Sequence, residues 1–236
     1  LDWVEGDVTN FEFPDGNFKF MIHAATEASA KLTRENPGQM FDTIVDGTRH
    51  TLDFAETHGV KKYLLTSSGA VYGRQPSDLP RVFEDFTGAP NCLNASDVYG
   101  EGKRAAEMLC AVTGRDHPFD IKIARCFAFV GPHLPLDAHF AIGNFIRDGL
   151  NGGPILIKGD GTPCRSYLYA ADLAIWLWTI LFTGGHLRPY NVGSGESVSI
   201  AEIADITAKQ FNPKTNVQIK GTPDPQKPLE RYVPDV

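Results

Sequence analysis

Two stretches decide the reading of this chain: Tyr63-Leu64-Leu65-Thr66-Ser67-Ser68-Gly69-Ala70-Val71-Tyr72-Gly73 and, further on, Tyr99-Gly100-Glu101-Gly102-Lys103. Tyr63 to Thr66 is a short apolar run of the kind that forms a strand buried on both faces, and it ends in hydroxyls and glycine. The second stretch opens a helix expected near Ser96 to Thr113, with Ala105, Met108, Leu109 and Val112 on one face. Residues four apart on a helix project from the same face, so Tyr99 and Lys103 stand together. An ammonium beside a phenol favours the phenolate, which predicts a Tyr99 pKa lowered from about 10 and a group that exchanges a proton near neutrality. Ser68 offers a hydroxyl for the same substrate oxygen, because open parallel sheets bind ligands at the carboxyl ends of their strands. A tyrosine and a lysine at this spacing also occur as a surface pair. The serine-rich strand end before the helix and the buried strand after it favour a site.

Outward from this centre the pattern alternates strand and helix. Phe18 to His23 reads as a buried strand. Residues 39–58 carry a helical stripe at Phe41, Ile44, Val45, Leu52 and Ala55, with Gly59 as the stop. Residues 74–95, rich in Pro, Asp and Asn, read as a loop, and Ile121 to Phe129 as another buried strand. This order predicts an α/β fold with a parallel sheet covered by helices. Beyond Pro132 come a helix near Phe140 to Leu150, a strand at Ile155 to Ile157 and a turn at Gly159-Asp160-Gly161. A very apolar helix over 169–183 then stops at Gly184-Gly185, before a strand at Tyr190 to Val192. Ser199-Ile200-Ala201-Glu202 has the form of a capping box, and Asp172 is a candidate helix cap.

Bulk properties narrow the partners. A net charge of −7 opposes binding to nucleic acid or an anionic membrane, both of which favour a basic face. The most apolar run, Leu173 to Phe182, is half the ~20 residues needed to span a bilayer. Cys92, Cys110, Cys126 and Cys164 include no Cys-x-x-Cys pair. No metal site is therefore expected, and the cysteines read as reduced thiols of a cytoplasmic protein.

With these motifs assembled, the chain resembles the extended short-chain dehydrogenase/reductase family, the NAD-dependent nucleotide-sugar epimerases and dehydratases. Gly6-Asp7-Val8 is similar to the family's strand-end aspartate segment, and Ile22-His23-Ala24-Ala25 to its His-x-Ala-Ala segment. Asp46-Gly47-Thr48 matches the Gly-Thr of its long helix, Thr66 to Gly73 its Ser-Ser-x-x-Val-Tyr-Gly segment, and Arg125 to Pro132 its Arg-x-x-Asn-x-x-Gly-Pro strand end. Gly159-Asp160-Gly161, Arg165 and Tyr169 to Asp172 follow in order, then Tyr190 to Gly193 and Glu230-Arg231-Tyr232.

The resemblance implies a Rossmann-like parallel sheet with a smaller mixed α/β substrate-binding portion. It divides the chain into a partial NAD-binding domain over 1–132 and a substrate-binding portion over 133–236, partly interleaved with the sheet. It implies Ser68, Tyr99 and Lys103 as the catalytic group, with Tyr99 the base and Lys103 on the nicotinamide ribose. It places Asp7, Val8, Ala24, Ala25, Thr26, Thr66, Phe127 and Val130, besides Tyr99 and Lys103, against NAD. A nucleotide-diphosphate sugar would meet Ser68, Asn144, Arg165 and Arg231, the two guanidinium forks suiting the pyrophosphate. It also implies a homodimer through the helices near 39–58 and 96–113.

Several departures qualify these expectations. The family's glycine-rich turn has no counterpart, so the chain reads as starting at about the third strand, with its sheet lacking the first strands. It also reads as ending early, and weak NAD binding by this stretch alone is expected. The position that separates NAD from NADP has no counterpart either. Gly69 and Ala70 stand where dehydratases carry acidic residues, and decarboxylases often carry a glutamate nearby. Neither residue can move a proton, which favours epimerase chemistry. Ala128 replaces a family asparagine, and Asn144 is the candidate to supply that contact. The alternatives are a 4,6-dehydratase using Glu84 or Asp85, and a non-catalytic remnant.

Overall fold

The apolar runs pair as expected in the computed structural model, which describes residues 2–26, 29–138, 140–211 and 213–236. In chain order the elements are β1 (Phe20–His23), α1 (Ala30–Glu35), α2 (Pro37–Thr57), β2 (Lys62–Ser68), α3 (Val98–Asp116), β3 (Asp120–Cys126), β4 (Phe129–Val130), α4 (Ala141–Leu150) and β5 (Ile155–Ile157). They continue as β6 (Cys164–Arg165), β7 (Leu168–Tyr169), α5 (Ala170–Thr183), β8 (Pro189–Val192), β9 (Val198–Ser199), α6 (Ile200–Ala208), β10 (Val217–Ile219) and β11 (Arg231–Tyr232). Two compact units share the chain: one comprises Leu1–Arg74, Glu84–Cys126 and Ala174–Val192, and the other Gln75–Phe83, Phe127–Leu173 and Gly193–Val236.

The first unit is a parallel sheet in the order β1-β2-β3-β8. Tyr63, Leu65 and Ile121 point from it into a core closed by Met40, Ile44, Leu52 and Ala55 of α2 and Ala106 and Cys110 of α3. Such alternation is what a strand's two-residue period and a helix's apolar stripe produce when they meet. Tyr63 is fully buried, so its hydroxyl needs a partner, and Thr51 provides one at 2.9 Å. Asn36 caps α2 by accepting from the Gln39 amide, with Pro37 at the first helical position. Gly59, at φ +74°, makes the left-handed turn that ends it.

Strand ends and one helix cap differ from the sequence reading. Phe18 lies outside β1: its amide donates to the His58 carbonyl at 2.9 Å and its ring packs on Phe54, which ties it to the end of α2. The strand expected over 121–129 stops at Cys126, because its ladders with β2 and β8 run out at Ser68 and Val192; the chain resumes as β4, paired with β7. Asp172 is not the cap of α5 but sits in its first turn, where a carboxylate still favours the helix dipole.

The second unit is mixed α/β. Its parallel pair β5–β10 packs with α4 and α6 around Phe145, Ile155, Ile157, Ala204 and Ala208. A second small sheet has β6 between parallel β11 and antiparallel β9. The capping box forms as expected: the Glu202 amide donates to Ser199 Oγ at 3.1 Å, and the Ser199 amide to Glu202 Oε2 at 2.7 Å.

Candidate active site

The carboxyl ends of β1 and β2 and the first turns of α3 bring Ser68, Tyr99, Lys103, Thr26 and Thr66 together. The Lys103 ammonium donates to the Thr66 carbonyl at 2.8 Å and to Thr26 Oγ1 at 3.0 Å. Thr26 Oγ1 also donates to the Ala25 carbonyl, and its amide to the Ala24 carbonyl, so 24–26 form a tight turn after β1. Thr66 Oγ1 donates to the His23 carbonyl at 3.0 Å. Ser68 accepts from the Ala70 amide at 3.1 Å, capping the short 3-10 turn Gly69–Tyr72, and is hydrogen-bonded to the Tyr99 hydroxyl. Lys103 Nζ lies 6.0 Å from the centroid of the Tyr99 ring.

The electrostatics correct one expectation. Tyr99 is held above its ordinary value, because burial penalises the phenolate by more than the Ser68 hydrogen bond favours it. Lys103 does not bond the phenol; its ammonium faces the strand ends, and burial lowers it to about 8. Burial, and then the Lys103 charge, lower His23 to about 4. His23 is thus a neutral ring whose Nε2 lies 3.2 Å from Thr48 Oγ1. Because that hydroxyl already donates to the Ile44 carbonyl, Nε2 carries the hydrogen.

The other residues singled out in the sequence divide by unit. In the first, the exposed Asp7 closes its own turn by accepting from the amide and hydroxyl of Thr9, and Val8 packs so closely on Gly47 that a Cβ there would meet it at 2.8 Å. In the second, Phe127 packs on Tyr232 with ring centroids 4.7 Å apart, and Val130 pairs with Tyr169. That unit holds an open cavity of about 1130 Å³, whose lining includes Asn144, Arg147, Lys158, Arg165, Lys220 and Lys227. Asn144 is engaged locally, donating to the Ala138 carbonyl and accepting from Arg147. Arg165 has one loose ion pair, with Glu230 at 3.8 Å. Arg231 is absent from the lining. It lies on β11 with Nε buried and without a hydrogen-bond partner among the described residues.

Sequence reasoning missed the cavity lysines, which sit on different elements and share no motif. It also missed a half-buried carboxylate that α3 directs at the sheet. Glu107 accepts from Arg125 through both oxygens, at 3.0 and 2.7 Å, and from Ser67 Oγ at 2.6 Å. The spacing Tyr99, Lys103, Glu107 was the available signal, since it extends one helical row by a turn.

Ser68 and Tyr99 thus form a hydrogen-bonded pair with a lysine one turn along, at the carboxyl ends of a parallel sheet. The model of the NAD dependent epimerase/dehydratase family matches residues 1–193, and the chain belongs to that family. UDP-glucuronic acid decarboxylase 2 of Arabidopsis thaliana is 31% identical over 216 residues, which cover 92% of this chain and 47% of that protein. The chain thus spans about half the length of the curated relatives it matches. The UDP-glucose 4-epimerase of Thermus thermophilus, solved with NAD, is 26% identical with a TM-score of 0.78, covering 92% of this chain and 69% of that one. The UDP-N-acetylglucosamine 4-epimerase of Methanobrevibacter ruminantium M1, with UDP-N-acetylmuramic acid bound, shares the fold at a TM-score of 0.83 and 21% identity, covering 98% and 73%.

Proposed function

We propose that this chain carries the catalytic group of an NAD-dependent nucleotide-sugar epimerase, with Tyr99 as the proton-transfer residue. The observation that carries the reading is the Ser68–Tyr99 hydrogen bond, with Lys103 on the same helical face and the proton-inert Gly69 and Ala70 directly after Ser68. The site residues fit the cofactor in one checkable respect. An ammonium has three donors, Thr26 and Thr66 use two, and among the described residues the third has no partner and would suit a ribose hydroxyl. NAD, when bound, supplies a reversible hydride acceptor. The positive charge of bound NAD would favour the Tyr99 phenolate against its burial, so that Ser68 would hold the sugar oxygen while Tyr99 takes its proton and later returns it. Oxidation and re-reduction at one carbon need no further acid, so Gly69 and Ala70 are adequate.

In the second unit, the proposed ligand of the cavity is the nucleotide diphosphate. Lys158 and Lys220 carry no ion pair among the described residues, and Arg165 has a fork to offer to phosphate oxygens. Arg231, outside that lining but with a buried donor that lacks a partner among the described residues, is kept as a proposed substrate contact. Asp7, Val8, Phe127 and Val130 are kept as cofactor contacts, and Asn144 as a substrate contact. A homodimer through α2 and α3 is proposed on the exposure of Phe41, Met108 and Val112. Among the described residues no helix is long and apolar enough to cross a membrane, and a cytoplasmic location is proposed.

Decarboxylation is the second reading, favoured by the 31% identity to the Arabidopsis enzyme. Turnover by Tyr99→Phe decides whether either dehydrogenase reading stands. Loss of at least about 100-fold in kcat, with an unchanged circular dichroism spectrum, is expected. Retention of full kcat would remove Tyr99 from the chemistry.

A further inference from the structure

The helix that bears Tyr99 and Lys103 presents a third ionisable group in the same row, Glu107, one turn beyond Lys103. Its carboxylate forks onto Arg125 and accepts from Ser67, with the Glu107 and Arg125 side chains 13% and 15% exposed. Ser67 and Arg125 are register partners in neighbouring strands, so one carboxylate clamps both strand ends to α3. Three successive residues of β2 are then held by three successive turns of one helix: Thr66 by Lys103, Ser67 by Glu107 and Ser68 by Tyr99. Arg125 also donates to the Tyr72 hydroxyl at 2.9 Å and to the Glu84 carbonyl at 2.9 Å, and Tyr72 donates on to Asn191. Tyr72 ends the 3-10 turn that Ser68 begins. The same guanidinium–carboxylate pair therefore grips the chain on both sides of Ser68. A slip of one residue in a strand turns every side chain to the other face, and here it would offer Ser67 in place of Ser68.

We propose that Glu107 is a positioning residue for the Ser68–Tyr99–Lys103 group, acting on Ser68 through Ser67 and Arg125 and on Lys103 as its counter-charge one turn away. The proposal rests on the catalytic reading of those three residues. Its electrostatic half has a signature of its own. The ionisable groups facing Lys103 are His23 from β1, Cys126 from β3, and Tyr99, Glu107 and Cys110 from α3. Burial depresses Lys103, and Glu107 works against that depression. Removing the carboxylate from an intact site thus pushes Lys103 further down, whereas loosening the packing lets it rise towards its ordinary 10.5.

The test uses the full chain labelled with ε-13C lysine, the Lys103 resonance being assigned by its loss in Lys103→Arg. Its titration midpoint is expected near 8 in the unaltered protein and at lower pH in Glu107→Gln. An unchanged midpoint, or one moving towards 10.5, overturns the proposal. The double variant Glu107→Gln/Arg125→Met leaves no guanidinium without its carboxylate and covers the case in which the single variant fails to fold; because a positive charge leaves with the negative one, a smaller downward shift is expected from it, and a rise towards 10.5 would count against the coupling. With UDP-glucose and NAD as probes, Glu107→Gln and Ser67→Ala should lower kcat at least about tenfold with KM little changed. Full kcat in both, alongside an inactive Tyr99→Phe, defeats the positioning role alone. An active Tyr99→Phe defeats the catalytic reading and leaves the Lys103 titration to decide the coupling to Glu107.

Discussion

Replacing His23 by glutamine is expected to remove an acid-sensitive part of this protein's stability. The ring is 3% exposed at the end of β1, bonded to Thr48 and within reach of the Lys103 charge. Its pKa falls from 6.5 in the unfolded chain to about 4 in the fold, chiefly because protonation would bury a charge. A histidine depressed in this way contributes stability that is fully present above pH 6.5 and lost as pH falls through about 4. The interval corresponds to about 3 kcal/mol. Glutamine keeps a donor for Thr48 Oγ1 but cannot be protonated. Urea unfolding followed by tryptophan fluorescence at about pH 7 and about pH 4 gives the comparison. Carboxylates titrating in the same window are common to both proteins and cancel. The unaltered protein should lose about 3 kcal/mol more than His23→Gln between the two conditions. Equal losses in both would show that His23 is not buried neutral and would refute the electrostatic account of this strand end.

Gly73 stands at φ +68°, and a Cβ there would meet the Ala89 carbonyl oxygen at 2.2 Å, so Gly73→Ala should cost at least about 2 kcal/mol in chemical denaturation. Met108 is 64% exposed on α3, and Met108→Lys should shift a homodimer towards monomer in light scattering without altering the fold. Replacing both Lys158 and Lys220 by alanine should weaken UDP binding about tenfold or more in calorimetry, whereas unchanged affinity would take the cavity out of nucleotide recognition.

The parts legible in the sequence were those that repeat along the chain. The stripe over residues 39–58 became α2, and the apolar run at Tyr63 became the second strand of the sheet, because period and burial are local signals. The shared helical face of Tyr99 and Lys103 was legible for the same reason, the two lying one turn apart. What failed depended on neighbours from distant positions. The break after Cys126 is set by where the flanking ladders end. The rise in Tyr99 follows from the burial that the fold imposes, and the Lys103 bond to Thr66 comes from a strand 37 residues back. The pairing of Glu107 with Arg125 forms only where the sheet brings Ser67 and Arg125 side by side. The two-residue strands β6, β9 and β11 carry too few residues for any periodicity to appear.

The most direct test of the central claim is the product formed from each of two probes, UDP-glucose and UDP-glucuronic acid, in the presence of NAD, read by mass and proton NMR. The account predicts an epimer of unchanged mass, absent in Tyr99→Phe. Release of carbon dioxide from UDP-glucuronic acid would contradict it, because Gly69 and Ala70 would then stand beside chemistry for which the epimerase reading leaves no group.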